Sequence, residues 1–423
     1  MKNNKEKNNK YRRAVVGAML DGNLKDCAIE IGSSPIGRGY AFGMTYEQFN
    51  KHLIIIGGTG TGKTVTQLRL MSSLMALSLA YPNEPRIRIL FVDAKGLNPS
   101  ALSETIGMKQ KVIRLAEKHG YLRINSFPDQ NLDGFSGDPL QVIERLSGLF
   151  QHGESEFHHA EATVMLSLAF FAGYTPTSLG ELIERVKPGV SEAIYMSLGT
   201  EEGLRDAKSC KSFTSTQWNS IYLRLKSLQL RVGTKFDKTV DCFSFRNTEC
   251  AYISISGTTS PQSAADVATW LLKMVAEIAE YNDGVKTVIF LDEFSAIGDD
   301  DRAVNLVAGL VERVRSAGIS LIVGTQTTST LGEKAERMLG TVGTLVTHRN
   351  GSPEDIISYA GTEKFFEDTY EIDENNQRVK TGGRLQEQFC IAPDEVRNLP
   401  IGECFVISEG KWARVGINPV QGL

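Results

Sequence analysis

The 423-residue sequence has no apolar run near the roughly 18 residues that a membrane-spanning helix needs. Its longest apolar stretches, around 166–174 and 270–281, are too short or carry charges. The sequence is also poor in cysteine. The six thiols (Cys27, Cys210, Cys242, Cys250, Cys390 and Cys404) form no C-x-x-C pair, so neither a zinc site nor a disulfide framework is signalled. Scattered reduced thiols fit a reducing compartment. Neither charge sign is in marked excess: Lys+Arg is 46 against Asp+Glu 50, a net charge of −4. That balance excludes a wholly basic nucleic-acid coat but leaves room for local basic patches. The first 13 residues are basic and polar, and no apolar segment of the signal-peptide kind follows them. These absences together lead to the expectation of a chain that is cytoplasmic on its own.

What is present reads as a soluble enzyme. Hydrophobic residues make up 41% and charged residues 23%, ordinary globular values, and the length suits two or three domains. Residues 1–24 are expected to be a disordered basic arm, and 25–50 is a short Gly-rich β lead-in. Lys51-His-Leu-Ile-Ile-Ile-Gly57 then reads as a buried strand of a parallel sheet. Apolar residues at helical spacing follow from Thr64 to Leu79, and Pro82 ends that helix. Further strands are expected at 86–92 and, as a third short one, at 111–115.

From 137 to 238 strand text nearly vanishes and helical periodicity takes over, which predicts an all-α insertion between a first part at 25–136 and a second at 239–423. In that second part strands are expected at 250–255, 287–291, 319–324, 344–348 and 404–408. Helices carry Ala264, Val267, Leu271, Val275 and Ile278, and 304–316. The polar stretch 362–388 reads as an exposed loop. Alternating strands and helices imply an α/β fold with a mostly parallel sheet and ligands at the carboxyl ends of its strands.

Three segments carry chemistry. Gly57, Gly58, Thr59, Gly60, Thr61, Gly62, Lys63 and Thr64 make a complete G-x-x-x-x-G-K-[ST] loop between a strand and a helix. Glycines let backbone N–H groups turn inward toward phosphates, and the new helix offers the same charges its positive dipole end. Lys63 supplies a point charge for the β- and γ-phosphates, and the Thr64 hydroxyl a ligand for Mg²⁺, so ATP and Mg²⁺ are the expected cofactors.

The second segment, Val288-Ile-Phe-Leu-Asp292-Glu293, would aim Asp292 at the metal from the end of a buried strand. Glu293 would orient and deprotonate the attacking water, a role typically contributing about 10²–10⁴-fold. In the third, Gln326 ends the next strand, where an amide can sense the γ-phosphate. Arg315, just before that strand, is a candidate arginine finger reaching a neighbouring subunit; such fingers are worth about 10³–10⁵ in rate. Arg313 competes for that role, and the alternative for Arg315 is a helix C-terminal arginine favoured by the dipole.

These residues resemble the nucleotide loop of the conjugative coupling ATPases of type IV secretion, the TraD/TraG kind, relatives of the FtsK and HerA DNA translocases. Val92-Asp-Ala-Lys95-Gly96 resembles the family's D-P-K-G, with Ala94 departing from its proline. Leu291-Asp-Glu-Phe resembles its L-D-E-[FL], and Arg315-Ser-Ala-Gly-Ile with Gly324-Thr-Gln326 its arginine-and-sensor segment. Gly343-Thr, His348-Arg-Asn and Leu399-Pro-Ile-Gly-Glu resemble the closing part of the same domain. The resemblance spans about 30 to 418.

That resemblance implies a RecA-like P-loop NTPase domain with an all-α insertion, a homo-hexameric ring, and ATP-driven coupling or movement of DNA. Partners would be DNA and relaxase or secretion-channel proteins. Many coupling proteins begin with two transmembrane helices and this sequence has none, so membrane attachment would come through a partner. The segment 201–240 holds eight basic residues against four acidic ones, compatible with a DNA-facing surface and more simply read as a solvated helix face. Two rivals remain at this level: a segregation motor of the FtsK/HerA type, and a nucleotide-gated recruitment adaptor without motor activity.

Overall fold

The computed structural model describes residues 28–35, 41–95, 107–149, 156–255, 261–281, 283–296, 301–372 and 378–422. The expected arm at 1–24, Cys27 and Gly96 lie outside them. In chain order the first strands are β1 (Ala28–Ser33), β2 (Ala41–Thr45), β3 (Leu53–Ile56), β4 (Arg88–Asp93) and β5 (Ile124–Phe127). Next come β6 (Cys250–Ser254), β7 (Thr287–Asp292), β8 (Ile319–Thr325) and β9 (Thr344–Thr347). The last four are β10 (Thr362–Ile372), β11 (Arg378–Phe389), β12 (Glu403–Ser408) and β13 (Lys411–Ile417).

The chain divides into two compact units. One joins the described residues up to Tyr81 with Ser320–Gly422, and the other runs Pro82–Ile319. In the first, the strand order is β2-β1-β13-β12-β9-β3-β8. Pairing is parallel where β3 lies between β9 and β8, and antiparallel from β9 outward through β12, β13, β1 and β2. All four residues of β3 and all seven of β8 are buried, as expected of strands covered on both faces. In the second unit the order β7-β4-β6-β5 is parallel throughout, with β4, β6 and β7 wholly buried. Parallel neighbours need crossover connections, and the helices Met108–Lys118 and Pro261–Tyr281 lie on two of them.

Every described element between 137 and 238 is a helix, from Pro139–Gly148 to Ser215–Val232. Four of their starts are built by side chains. Asp138, Ser178, Thr200 and Thr214 each accept a hydrogen bond from a first-turn backbone N–H, and Thr214 with Gln217 forms a full capping box. Trp218, Ile221, Leu225, Leu228 and Val232 form the buried stripe of the last of them, at the helical period.

Two expectations are corrected. Residues 111–115 are not a strand: they lie inside the helix Met108–Lys118, whose buried Val112, Leu115 and Ala116 follow i, i+3, i+4 spacing. The strand of that region is β5. The polar stretch 362–388 is not a loop but the antiparallel hairpin of β10 and β11, separate from the main sheet. Its register sets Phe366 opposite Leu385, Lys364 opposite Glu387 and Glu367 opposite Arg384, so unlike charges pair across the strands.

Candidate functional site

In the first unit the buried strand β3 delivers the chain into the loop Gly57–Gly62, and the helix Lys63–Ala80 follows. Gly60 (φ +73°) and Gly62 (φ +122°) take backbone conformations that a Cβ would strain. Gly57 is required for another reason: a Cβ there would stand 2.6 Å from the His348 Cβ and 2.8 Å from the Thr61 hydroxyl. The loop is moored at both ends. Gly57 N donates to the Thr325 carbonyl, Gly58 N to the Arg349 carbonyl, and Gly402 N to the Thr61 carbonyl. No side chain caps the helix at Gly62 and no acid occupies its first turn, so its N-terminal N–H groups and dipole favour an anion.

Lys63 is buried, and its Nζ donates to the carbonyls of Gly57 (2.7 Å) and Gly58 (3.2 Å), folding the ammonium over the loop. Thr64 is half-buried on the first helical turn, and Thr59 and Gly60 are exposed at the loop tip. Gln326 directly follows Thr325, which pairs with Ile56 in register, so it leaves β8 beside the point where the loop leaves β3.

His348, known from the sequence only as part of a resembling stretch, supports this loop from the end of β9. Its Nδ1 lies 2.9 Å from the Glu403 carbonyl and its Nε2 2.9 Å from the Thr66 hydroxyl, while its backbone N donates to the Ile56 carbonyl. Burial pushes the imidazole down to about 4, the nearby Lys63 ammonium adds to this, and the Glu403 carbonyl opposes it. The ring is therefore neutral: it donates from Nδ1 and accepts the Thr66 proton at Nε2. Only the pairing of distant strands reveals this role.

In the second unit β7 ends at Asp292, and Glu293 turns the chain with φ +55°. A non-glycine residue in that region carries about 1–3 kcal/mol of strain, a cost that concentrates at functional sites. Glu293 N donates to Asp292 Oδ1 (3.1 Å), and the Ser295 hydroxyl donates to Glu293 Oε1 (3.1 Å). Asp292 lies in register with Asp93 at the end of β4. The phenol of Tyr252, on β6, donates to Asp93 Oδ2 at 2.7 Å, and Lys95 N donates to Oδ1 at 3.0 Å. Burial, followed by the charge of Asp93, pushes the Tyr252 phenol far up, so it remains a donor. Arg313 ends the helix Asp301–Arg313, Arg315 lies in the turn before β8, and both are exposed.

Taken one by one, the Thr64 hydroxyl of the first unit and the Asp292 carboxylate of the second are each of the chemical kind that magnesium takes. A hydroxyl and a carboxylate are hard oxygen ligands, and Mg²⁺ ordinarily takes only one or two protein ligands beside phosphate and water. Among the described residues no group of three His, Cys, Asp or Glu side chains gathers to hold an ion by itself. The basic excess of 201–240 is partly spent within the protein: Arg231 pairs with buried Asp266, Lys211 with Glu192 and Arg205 with Glu202. No described helix is long and apolar enough to cross a membrane.

No protein-family model matches the sequence, and no curated protein does. Solved structures do match. The bacterial conjugative coupling protein TrwBdeltaN70 aligns over 98% of this chain and 92% of its own, with a TM-score of 0.62 at 15% identity. The plasmid coupling protein TrwB in complex with ADP and Mg²⁺ aligns over 95% and 93%, with a TM-score of 0.56 at 16% identity. VirB4 of Thermoanaerobacter pseudethanolicus aligns over 96% and 99%, with a TM-score of 0.57 at 14% identity. The resemblance to type IV secretion coupling ATPases read from the motifs thus meets an independent likeness in three dimensions. The chain has the fold these proteins share, an α/β, RecA-like P-loop NTPase fold.

Proposed function

We propose that this protein is an ATP-hydrolysing ring motor that couples or translocates DNA, or a relaxase–DNA complex, to a conjugative type IV secretion channel. One observation carries the reading: a buried parallel strand, a glycine loop and an uncapped helix N-terminus with Lys63 folded over them. The loop amides of 57–62 and the Lys63 ammonium would bind the phosphates, and the Thr64 hydroxyl and Asp292 carboxylate would hold Mg²⁺. The cation, when bound, would offset charge developing on the phosphates. Glu293 would orient the attacking water and take its proton, and its left-handed backbone fixes the direction in which the carboxylate leaves the strand. Gln326 would read the γ-phosphate from the end of β8. Arg315, or Arg313, would act in trans on a neighbouring subunit of the homo-hexamer that the family resemblance implies; exposure of both side chains suits that role. The all-α region at 137–238 would be an insertion domain that meets DNA or partner proteins, through which the ring would reach the membrane.

Equilibrium binding of a fluorescent ATP analogue tests the site. Wild type should bind with Mg²⁺ present. Lys63→Ala should lose about 10–100-fold in affinity, the value of one or two charge-assisted hydrogen bonds, while keeping its thermal midpoint. Equal affinity in the two proteins would remove the loop from the site.

A further inference from the structure

We propose that Asp93 is a positioning residue for the divalent cation, held by Tyr252 and the Lys95 amide so that its carboxylate stands beside that of Asp292. This rests on the nucleotide-binding reading above and extends it to a residue that reading does not use. The argument begins with register: β4 and β7 are parallel neighbours, and Asp93 is the Cα partner of Asp292. Registered residues of neighbouring strands leave the same face of a sheet, with the strands about 4.8 Å apart. Two carboxylates therefore emerge side by side at the carboxyl edge, and each residue is only 7% exposed.

Burial of a carboxylate in that place is costly unless it is hydrogen-bonded. Asp93 is supplied from two directions: Tyr252 comes from β6 on the far side of β4, and the Lys95 amide comes from the turn after β4. A different donor fixes each oxygen. A carboxylate has about four acceptor positions, and one held in this way could share in the solvent shell of a cation that Asp292 ligates. Asp93 would thus act on the cation through Asp292 and water, raising local negative charge and fixing the ligand's surroundings. Loss of such supporting groups typically weakens metal affinity 10–100-fold.

The test is a Mg²⁺ titration of fluorescent ADP binding by the full chain, with wild type, Asp93→Asn and Tyr252→Phe. The proposal expects Asp93→Asn to need about 10–100-fold more Mg²⁺ for half-maximal enhancement, with ADP affinity in chelator unchanged. Tyr252→Phe should shift the same curve the same way by less, which keeps the test available if the asparagine variant folds poorly. An unshifted curve for both variants beside a responsive wild type overturns this proposal alone. Equal weakening with and without Mg²⁺, together with a lower melting temperature, also overturns it, because Asp93 would then be structural only. A wild type that binds no nucleotide at any Mg²⁺ concentration overturns the underlying reading and this proposal with it.

Discussion

Single side chains carry the account's sharpest consequences. Glu293→Gln keeps size and hydrogen bonding while removing the proposed base. Nucleotide binding should survive in it, and turnover should fall by about 10²–10⁴-fold in a phosphate-release assay. His348 gives a pH signature. An unfolded histidine protonates near 6.5, whereas the folded one does so only near 4, because burial disfavours its charged form. Its contribution to stability is complete above pH 6.5 and is lost as pH falls toward 4, by at most about 3 kcal/mol. Thermal melts near neutral pH and near pH 4 should show a larger acid loss for wild type than for His348→Gln; equal losses would contradict the assignment. His348 and Asp93 were not legible as site residues in the sequence. Each acquires its place from strand register: His348 reaches Thr66 across 282 positions, and Asp93 meets Tyr252 across 159.

At the scale of elements, the strand–loop–helix unit was legible because each part has its own local signature. Ile54, Ile55 and Ile56 are buried on both faces, glycines occupy the positive-φ positions, and the helix period starts at once. The same features separate two glycines experimentally. Gly57→Ala would push a methyl into His348 and Thr61, and should lower both stability and nucleotide affinity, by about 1–3 kcal/mol in stability. Gly60→Ala meets open space and should cost only about 1 kcal/mol of backbone strain. Melting curves and nucleotide titrations on both variants check the contrast, and a milder Gly57→Ala would contradict it. The misread elements have opposite causes. Residues 111–115 present a short apolar run whose i, i+3, i+4 pattern emerges only over the longer window 108–118. The hairpin of β10 and β11 is mostly polar and leaves even Phe366 and Leu385 exposed, and its cross-strand charge pairs join residues 17 to 23 apart, so no local apolar alternation announces it.

At the scale of the whole molecule, the alternation of buried strands and helices was enough to give the fold class, and likeness to solved coupling proteins and VirB4 extends over nearly the full length at 14–16% identity. The antiparallel flank from β12 to β2 was legible only in part: the lead-in at 25–50 and the strand at 404–408 were read, but β13 and the pairing of β1 with it were not, because the partners come from opposite ends of the chain. The basic residues of 201–240 illustrate the limit of counting charges: Arg231 is committed to Asp266, which also pairs with Arg302 and so ties three helices together. The proposed DNA-stimulated engine makes its own demand on the intact protein. Steady-state phosphate release, measured with and without DNA for wild type, Lys63→Ala and Glu293→Gln, is the most direct test. The account expects wild-type turnover that rises when DNA is added and nearly vanishes in both variants. Turnover retained by either variant, or tight nucleotide binding with no turnover in the wild type, would contradict it.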